Sequence, residues 1–263
     1  MRILVTNDDG VAAPGIHALA IAVADAGHDV VVVAPDEDKS GFGAAIGSLH
    51  LDEHLDVAEA EIPGRPDIPA WGLAGPPALA VMAARLGAFG DAPDLVVSGI
   101  NPGLNTGRST LHSGTVGACL TGANFGVSGL AVSLHVDGVE PMRFDTAARL
   151  AQLALGWLVD APERTVLNLN VPNVGVDELR GVRWASLAPF GTVRAAVAES
   201  RDGRIQMELR ATGAELPEGS DTALVHDGYA AITSIVGIRA TEPVDVAEAM
   251  RAGLEPSGVP GAG

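Results

Sequence analysis

Short β-branched runs alternate with helix-spaced segments through the first two-thirds of this chain, and that alternation leaves few folds open. Residues 3–5 (ILV), 29–34 (DVVVVA), 69–73, 94–98 (DLVVS), 130–136 and 165–171 read as strands, most of them apolar on both faces and bounded by turn residues. Residues 16–26, 78–89, 113–124 and 144–160 have helical spacing, with Pro14 and Gly15 leading into the first and Gly27 placed to end it. Such alternation with short connections predicts an α/β fold, a mostly parallel sheet between helix layers. Residues 36–50 read as a loop, and 51–68 as an acidic stretch holding a short strand.

After residue 175 the character changes. Residues 193–200 and 205–211 flank Arg201-Asp202-Gly203-Arg204, a hairpin signal because Asp-Gly suits a tight primed turn. The expected organisation is a catalytic α/β core over 1–175 and an extension over 176–252 that completes the same domain and carries a protruding hairpin. Residues 253–263, rich in Pro and Gly, read as a disordered tail.

Composition removes several classes of function. A net charge of −17 argues against a nucleic-acid polymer or membrane surface as partner, and would repel a phosphorylated substrate unless a bound cation supplied local positive charge. No stretch approaches the ~20 apolar residues of a membrane span. A strand pattern by residue 3 leaves no room for a signal peptide. The single cysteine, Cys119, excludes internal disulfides and reads as a small buried thiol within a helix. A cytoplasmic protein is expected. No Gly-x-Ser-x-Gly elbow, Walker loop or Gly-x-Gly-x-x-Gly follows the first strand.

The chemistry-bearing residues lie in loops that follow parallel strands and so open on one sheet edge. The first strand ends in Asn7-Asp8-Asp9-Gly10, and adjacent carboxylates repel unless a cation or a shared proton sits between them. A solvated turn is the plainer reading of those four residues. Ser40 and Asn101 stand in the next two loops. Carboxylates, a hydroxyl and an amide are oxygen donors that suit Mg²⁺, Mn²⁺ or Ca²⁺ in preference to zinc. Ser113-Gly114-Thr115 opens a helix, where free N–H groups and the dipole favour an anion, although Ser113 also reads as a plain N-cap. A divalent metal beside an anion pocket is equipment for phosphate ester hydrolysis. Among the histidines, only His112 stands next to these residues.

The segments ILVTNDDGVAAPGI, APDEDKSG, PDLVVSGINPGLNTG, HSGTVGA and LNLNVP together resemble the SurE family of metal-dependent 5′/3′-nucleotidases, in order over residues 1–175. GSDTALVHDGYAAIT, residues 219–233, resembles the family's late segment. The resemblance implies a Rossmann-like fold and a phosphomonoesterase acting on nucleoside 5′- or 3′-monophosphates or related small esters. It implies a metal held by Asp8, Asp9, Ser40 and Asn101, and a phosphate met by Gly41, Ser113, Gly114 and Thr115. It also implies a homodimer or homotetramer built through the hairpin. Asp8 and Asp9 are the expected catalytic pair, and an aspartyl-phosphate route is open chemistry for either.

The chain departs from the family pattern at Gly75-Pro76-Pro77-Ala78-Leu79-Ala80, at His112, and at Gly43 and Ala45. These departures are expected to retarget the substrate pocket. Two other readings compete: a non-catalytic nucleotide or anion binder on a retained fold, and a glycosyltransferase-like protein holding a sugar nucleotide through metal. The first need not keep all four oxygen donors, and the second calls for another nucleotide-binding domain.

Overall fold

The computed structural model describes residues 1–47, 54–136, 138–189, 193–201, 204–211, 215–239, 246, 250 and 251. Its strands are β1 (Arg2–Thr6), β2 (Asp29–Pro35), β3 (Val57–Ala60), β4 (Ala70–Leu73), β5 (Leu95–Pro102), β6 (Ser128–Leu134), β7 (Val166–Val171), β8 (Val182–Trp184), β9 (Val193–Arg201), β10 (Arg204–Ala211) and β11 (Ala230–Ser234). Its helices are α1 (Pro14–Asp25), α2 (Pro77–Arg85), α3 (Gly114–Asn124), α4 (Phe144–Leu158) and α5 (Asp221–His226), and a 3-10 turn spans Gly107–His112.

Nine strands form one sheet in the order β3-β4-β2-β1-β5-β6-β7-β11-β8. From β4 to β7 every neighbouring pair is parallel. Near the edges β3 runs antiparallel to β4, and β11 antiparallel to β7. The sheet is mostly parallel, as the alternation predicts. From β1 the chain winds outward through β2 to β4, then starts again on the other side of β1 at β5. Ligands of open α/β sheets bind outside the carboxyl ends of the strands where that reversal occurs. Here that crevice lies above β1 and β5.

The strand pattern explains why helices cover both faces. In β1, Ile3 and Val5 enter one core while Leu4 enters the other, because successive strand side chains point to opposite faces. In β2, Val30 and Val32 side with Ile3, and Val31 and Val33 with Leu4. Helices α1 and α4 pack on the first face, and α2 and α3 on the second. Emptying one of these positions, as in Leu4→Ala, costs about 2–5 kcal/mol. Cys119 is fully buried in the second core, and burial pushes its thiol far above the ordinary range. Among the described residues, no helix is long and apolar enough to cross a membrane.

Two differences from the sequence reading bear on the site. Residues 99–102 were expected to be loop, because Gly99 and Pro102 are turn residues. Instead β5 shifts register between Ser98 and Asn101 and pairs again, Asn101 with Ser133 and Pro102 with Leu134. Asn101 therefore stands on a sheet-anchored strand end. Further on, β11 and β8 join the main sheet beyond β7, and α5 precedes β11. Periodicity did not reveal these short elements.

The hairpin is present as an antiparallel β9–β10 pair, separate from the main sheet, with Met207 opposite Val197. Val197, Ile205 and Met207 are exposed. The Asp202-Gly203 turn and the 253–263 tail lie outside the described residues.

Candidate active site

The loop after β1 is closed by its own first residue. Buried Asn7 donates from Nδ2 to the Gly10 carbonyl at 3.0 Å and accepts the Gly10 N–H on Oδ1 at 3.2 Å. This turn carries Asp8 and Asp9 as its two central residues. The loop after β2 docks on it, because the Lys39 N–H donates to the Asp8 carbonyl at 2.7 Å and the Val11 N–H to the Pro35 carbonyl at 2.8 Å.

Asp8 is 3% exposed and faces the start of α3. Its Oδ1 accepts from the Thr115 hydroxyl at 2.6 Å, and its Oδ2 from the Gly114 N–H at 3.1 Å. Burial raises its pKa above the ordinary 3.8, and these hydrogen bonds pull the other way without cancelling the effect. Asp9 is more strained electrostatically. Burial first, then the charges of Asp8 and Asp38, push it up to about 7. Its Oδ2 is buried with no hydrogen-bond partner. Among the described residues no ion pair reaches either aspartate, and Lys39 turns to Glu37 instead.

The other sequence-predicted residues arrive from neighbouring strands. Ser40 is exposed, and both its hydroxyl (2.6 Å) and its N–H (2.8 Å) donate to Asp38 Oδ1, holding Asp38 below the usual carboxylate range. The Asn101 amide nitrogen donates to the Gly103 carbonyl at 2.7 Å, which leaves Oδ1 as the end able to meet a cation. Gly41 follows in the exposed β2 loop with a φ of 84°. Ser113 is the N-cap of α3, accepting the Val116 N–H on Oγ at 3.1 Å. That accepted bond leaves its hydroxyl proton free to donate.

Gly114 and Thr115, expected at a phosphate, bond Asp8 in this structure through the Gly114 N–H and the Thr115 hydroxyl. The reason is steric as well as electrostatic: a Cβ at Gly114 would lie 2.7 Å from both Cβ and Oδ2 of Asp8, so the helix start is pressed against that carboxylate. A helix N-terminus favours an anion, and Asp8 is the nearest one.

Asp38 escaped the sequence reading although it charges Asp9 and engages Ser40. Its signal was the acidic run Asp36-Glu37-Asp38 directly after a strand. His112 is exposed, and its carbonyl accepts the Gly43 N–H at 3.2 Å, tying the β2 loop to the approach of α3. Leu79 is 6% exposed in the second core beside Leu4 and Val31. Its departure from the family pattern falls within the packed core.

The donor set fits a hard divalent cation. A buried, unpartnered carboxylate oxygen beside a second carboxylate, with no ion pair to either among the described residues, is what a cation would relieve. Among the described residues no three His, Cys, Asp or Glu side chains form a cluster. Two carboxylates completed by neutral oxygens form the sparse set that Mg²⁺ accepts while retaining waters or substrate phosphate.

Fold and site together define a doubly wound α/β protein with paired carboxylates, without an ion pair among the described residues, at its switch point. The chain matches the model of the family described as survival protein SurE over residues 3–192, and it belongs to that family. It is 38% identical over 240 residues to the 5′-nucleotidase SurE of Xanthomonas campestris pv. campestris (strain B100), covering 89% of each chain. It is 41% identical over 192 residues to the protein of that name from Xylella fastidiosa (strain 9a5c), covering 71% of this chain and 70% of the other. The crystal structure of the SurE protein from Aquifex aeolicus is similar at a TM-score of 0.73 and 29% identity, over 96% of this chain and 98% of that one.

Proposed function

We propose that this chain is a divalent-metal-dependent phosphomonoesterase acting on nucleoside 5′-monophosphates, with 3′-monophosphates and related small esters as further substrates. The observation that carries the reading is Asp9: a half-buried carboxylate, its Oδ2 buried without a partner, pushed up to about 7 beside Asp8 at the switch point. The curated relatives named 5′-nucleotidase SurE support the reaction class. Asp8 and Asp9 would hold the cation, with Ser40 and Asn101 completing the protein's share. When bound, such an ion polarises a phosphoryl oxygen and lowers the pKa of water.

The chain's own residues do the positioning. Thr115 and Gly114 fix the Asp8 carboxylate, so its geometry is set before substrate arrives. Ser113, through its hydroxyl proton, and the Gly41 N–H are the groups assigned to the phosphate oxygens, where negative charge gathers during transfer. His112, exposed beside α3, is the departure best placed to alter substrate preference.

A panel of phosphate monoesters assayed with Mg²⁺ and Mn²⁺ tests the reading. Hydrolysis that requires the cation and stops in chelator is expected. Nucleotide binding without hydrolysis of any ester would favour the non-catalytic alternative. Ser40→Ala and Asn101→Ala should each weaken Mn²⁺ binding at least ~10-fold, a loss typical of groups that complete or orient a metal site. Titration calorimetry measures this, and unchanged affinity in both would reduce the two residues to turn formers.

The exposed apolar side chains of β9 and β10 support assembly through the hairpin, because an isolated two-stranded ribbon is marginal in water. Exchange of such an element between protomers gives a symmetric dimer, and two dimers a tetramer. Deleting residues 194–210 and joining the ends with a short glycine linker should shift the protein toward monomer in light scattering. An intact protein that is already monomeric at micromolar concentration would refute this. One buried thiol and a strongly acidic surface suit a reducing cytoplasm.

A further inference from the structure

Asp221 is the other notable carboxylate of this molecule. It is fully buried, and among the described residues no ion pair reaches it. Its Oδ2 accepts the Gly107 N–H at 2.7 Å. Its Oδ1 accepts the Ala188 N–H at 3.0 Å and the Thr222 N–H at 2.8 Å, with the Thr222 hydroxyl at 3.4 Å. Three backbone donors from three chain segments therefore meet on one side chain. An asparagine would present one oxygen and an NH₂ group, and that NH₂ would face a donor. Only a carboxylate serves all three.

From Gly107 a run of hydrogen bonds leads into the candidate site. The Thr110 hydroxyl donates to the Gly107 carbonyl at 2.9 Å, and the Ser113 N–H to the Thr110 carbonyl at 3.2 Å. Ser113 caps α3, whose first residues hold Asp8. On the other side, Ala188 lies shortly before β9, and the Asp221 N–H donates to the Ser186 carbonyl at 2.8 Å. The joint is close-packed: Gly107 has a φ of 58°, and a Cβ there would lie 2.8 Å from the Ala188 carbonyl oxygen.

We propose that Asp221 is a positioning residue for the reaction, fixing the 107–113 turn, and through it the start of α3 and Asp8, to the segment around Ser186 and Ala188. It touches neither substrate nor cation. The inference rests on the phosphomonoesterase reading of the crevice, but its geometric half can be tested without turnover.

The test uses the full chain with Asp221→Asn and Gly107→Ala, singly and together. Two quantities are read well below each variant's Tm: kcat and KM for an aryl phosphate with Mn²⁺, and amide hydrogen exchange at Gly114 and Thr115. Each single variant should lower kcat/KM at least ~10-fold and speed exchange at Gly114 by a similar factor, since small misplacements of a catalytic group are costly. The double variant should be no worse than the worse single one, because both break the same joint. A lower Tm with unchanged kcat/KM and unchanged Gly114 exchange would overturn the proposal, as would fully additive effects. If Asp221→Asn does not fold, Gly107→Ala decides by the same two readouts. If the wild-type protein hydrolyses no ester, the phosphomonoesterase reading fails while the exchange at Gly114 still decides the positioning claim.

Discussion

Asp9→Asn is expected to cost at least ~10²-fold in phosphomonoesterase rate and, in chelator, to make the protein more stable. Both effects come from one carboxylate. Its charge is what a divalent cation needs, and removing a strong contact made in the transition state costs about that factor. Without a cation the same charge is buried beside Asp8, with one oxygen unpartnered. Its pKa is about 7 in the folded chain against an ordinary 3.8, so across that window the native state holds the extra proton. Stability of the cation-free protein therefore falls as pH rises from 3.8 through 7, and the asparagine variant lacks this loss. Calorimetry in chelator at about pH 5 and about pH 8 separates the two proteins, whose difference should be clearly larger at the higher pH. Cation binding by the wild type should release about half a proton from Asp9 at about pH 7 and close to one at about pH 5.5. Equal thermal stability of variant and wild type at both pH values would show that Asp9 is not strained. Full activity in the variant would remove the metal reading.

Gly114→Ala carries the second large effect, although Gly114 has no side chain to offer chemistry. The added methyl would sit 2.7 Å from Asp8 Cβ and Oδ2, and Asp8 is itself buried in the loop just after β1. Either α3 retreats or Asp8 turns. Overpacking of this kind costs about 1–3 kcal/mol of stability. Misplacing the carboxylate by about 1 Å should cost on the order of 10²-fold in kcat/KM. Steady-state kinetics with Mn²⁺ beside a thermal melt measure both. A folded variant with wild-type kcat/KM would mean that the contact between α3 and Asp8 does not set the site.

How much of the molecule was legible in advance differs from element to element. The parallel strands were readable because burial on both faces writes an unbroken apolar run, as in Val30 to Val33, and helices between them leave their own spacing. The edge elements were not. β8 is three residues long and exposed, and α5 is six residues long, too short for either period to register. Asn101 looked like a loop residue because Gly99 and Pro102 flank it, yet a register shift lets β5 continue past them. Asp38 was hidden in a run of acids that reads as solvated turn.

By itself the sequence determined the alternation of strands and helices, and hence a sheet with its loops opening on one edge. It also determined which residue types crowd those loops: paired carboxylates, small hydroxyls and glycines. Those properties follow from local periodicity and composition, which need no knowledge of what lies across the fold. Only the tertiary structure decided the partners. It joined Gly114 and Thr115 to Asp8, sent Lys39 to Glu37, left Asp9 with no ion pair among the described residues, and buried Leu79 in a core. It also brought Asp221 across 114 residues of chain to Gly107. Hydrogen bonds and desolvation depend on distance in space, and residues far apart in the chain acquire that distance only when the sheet is assembled.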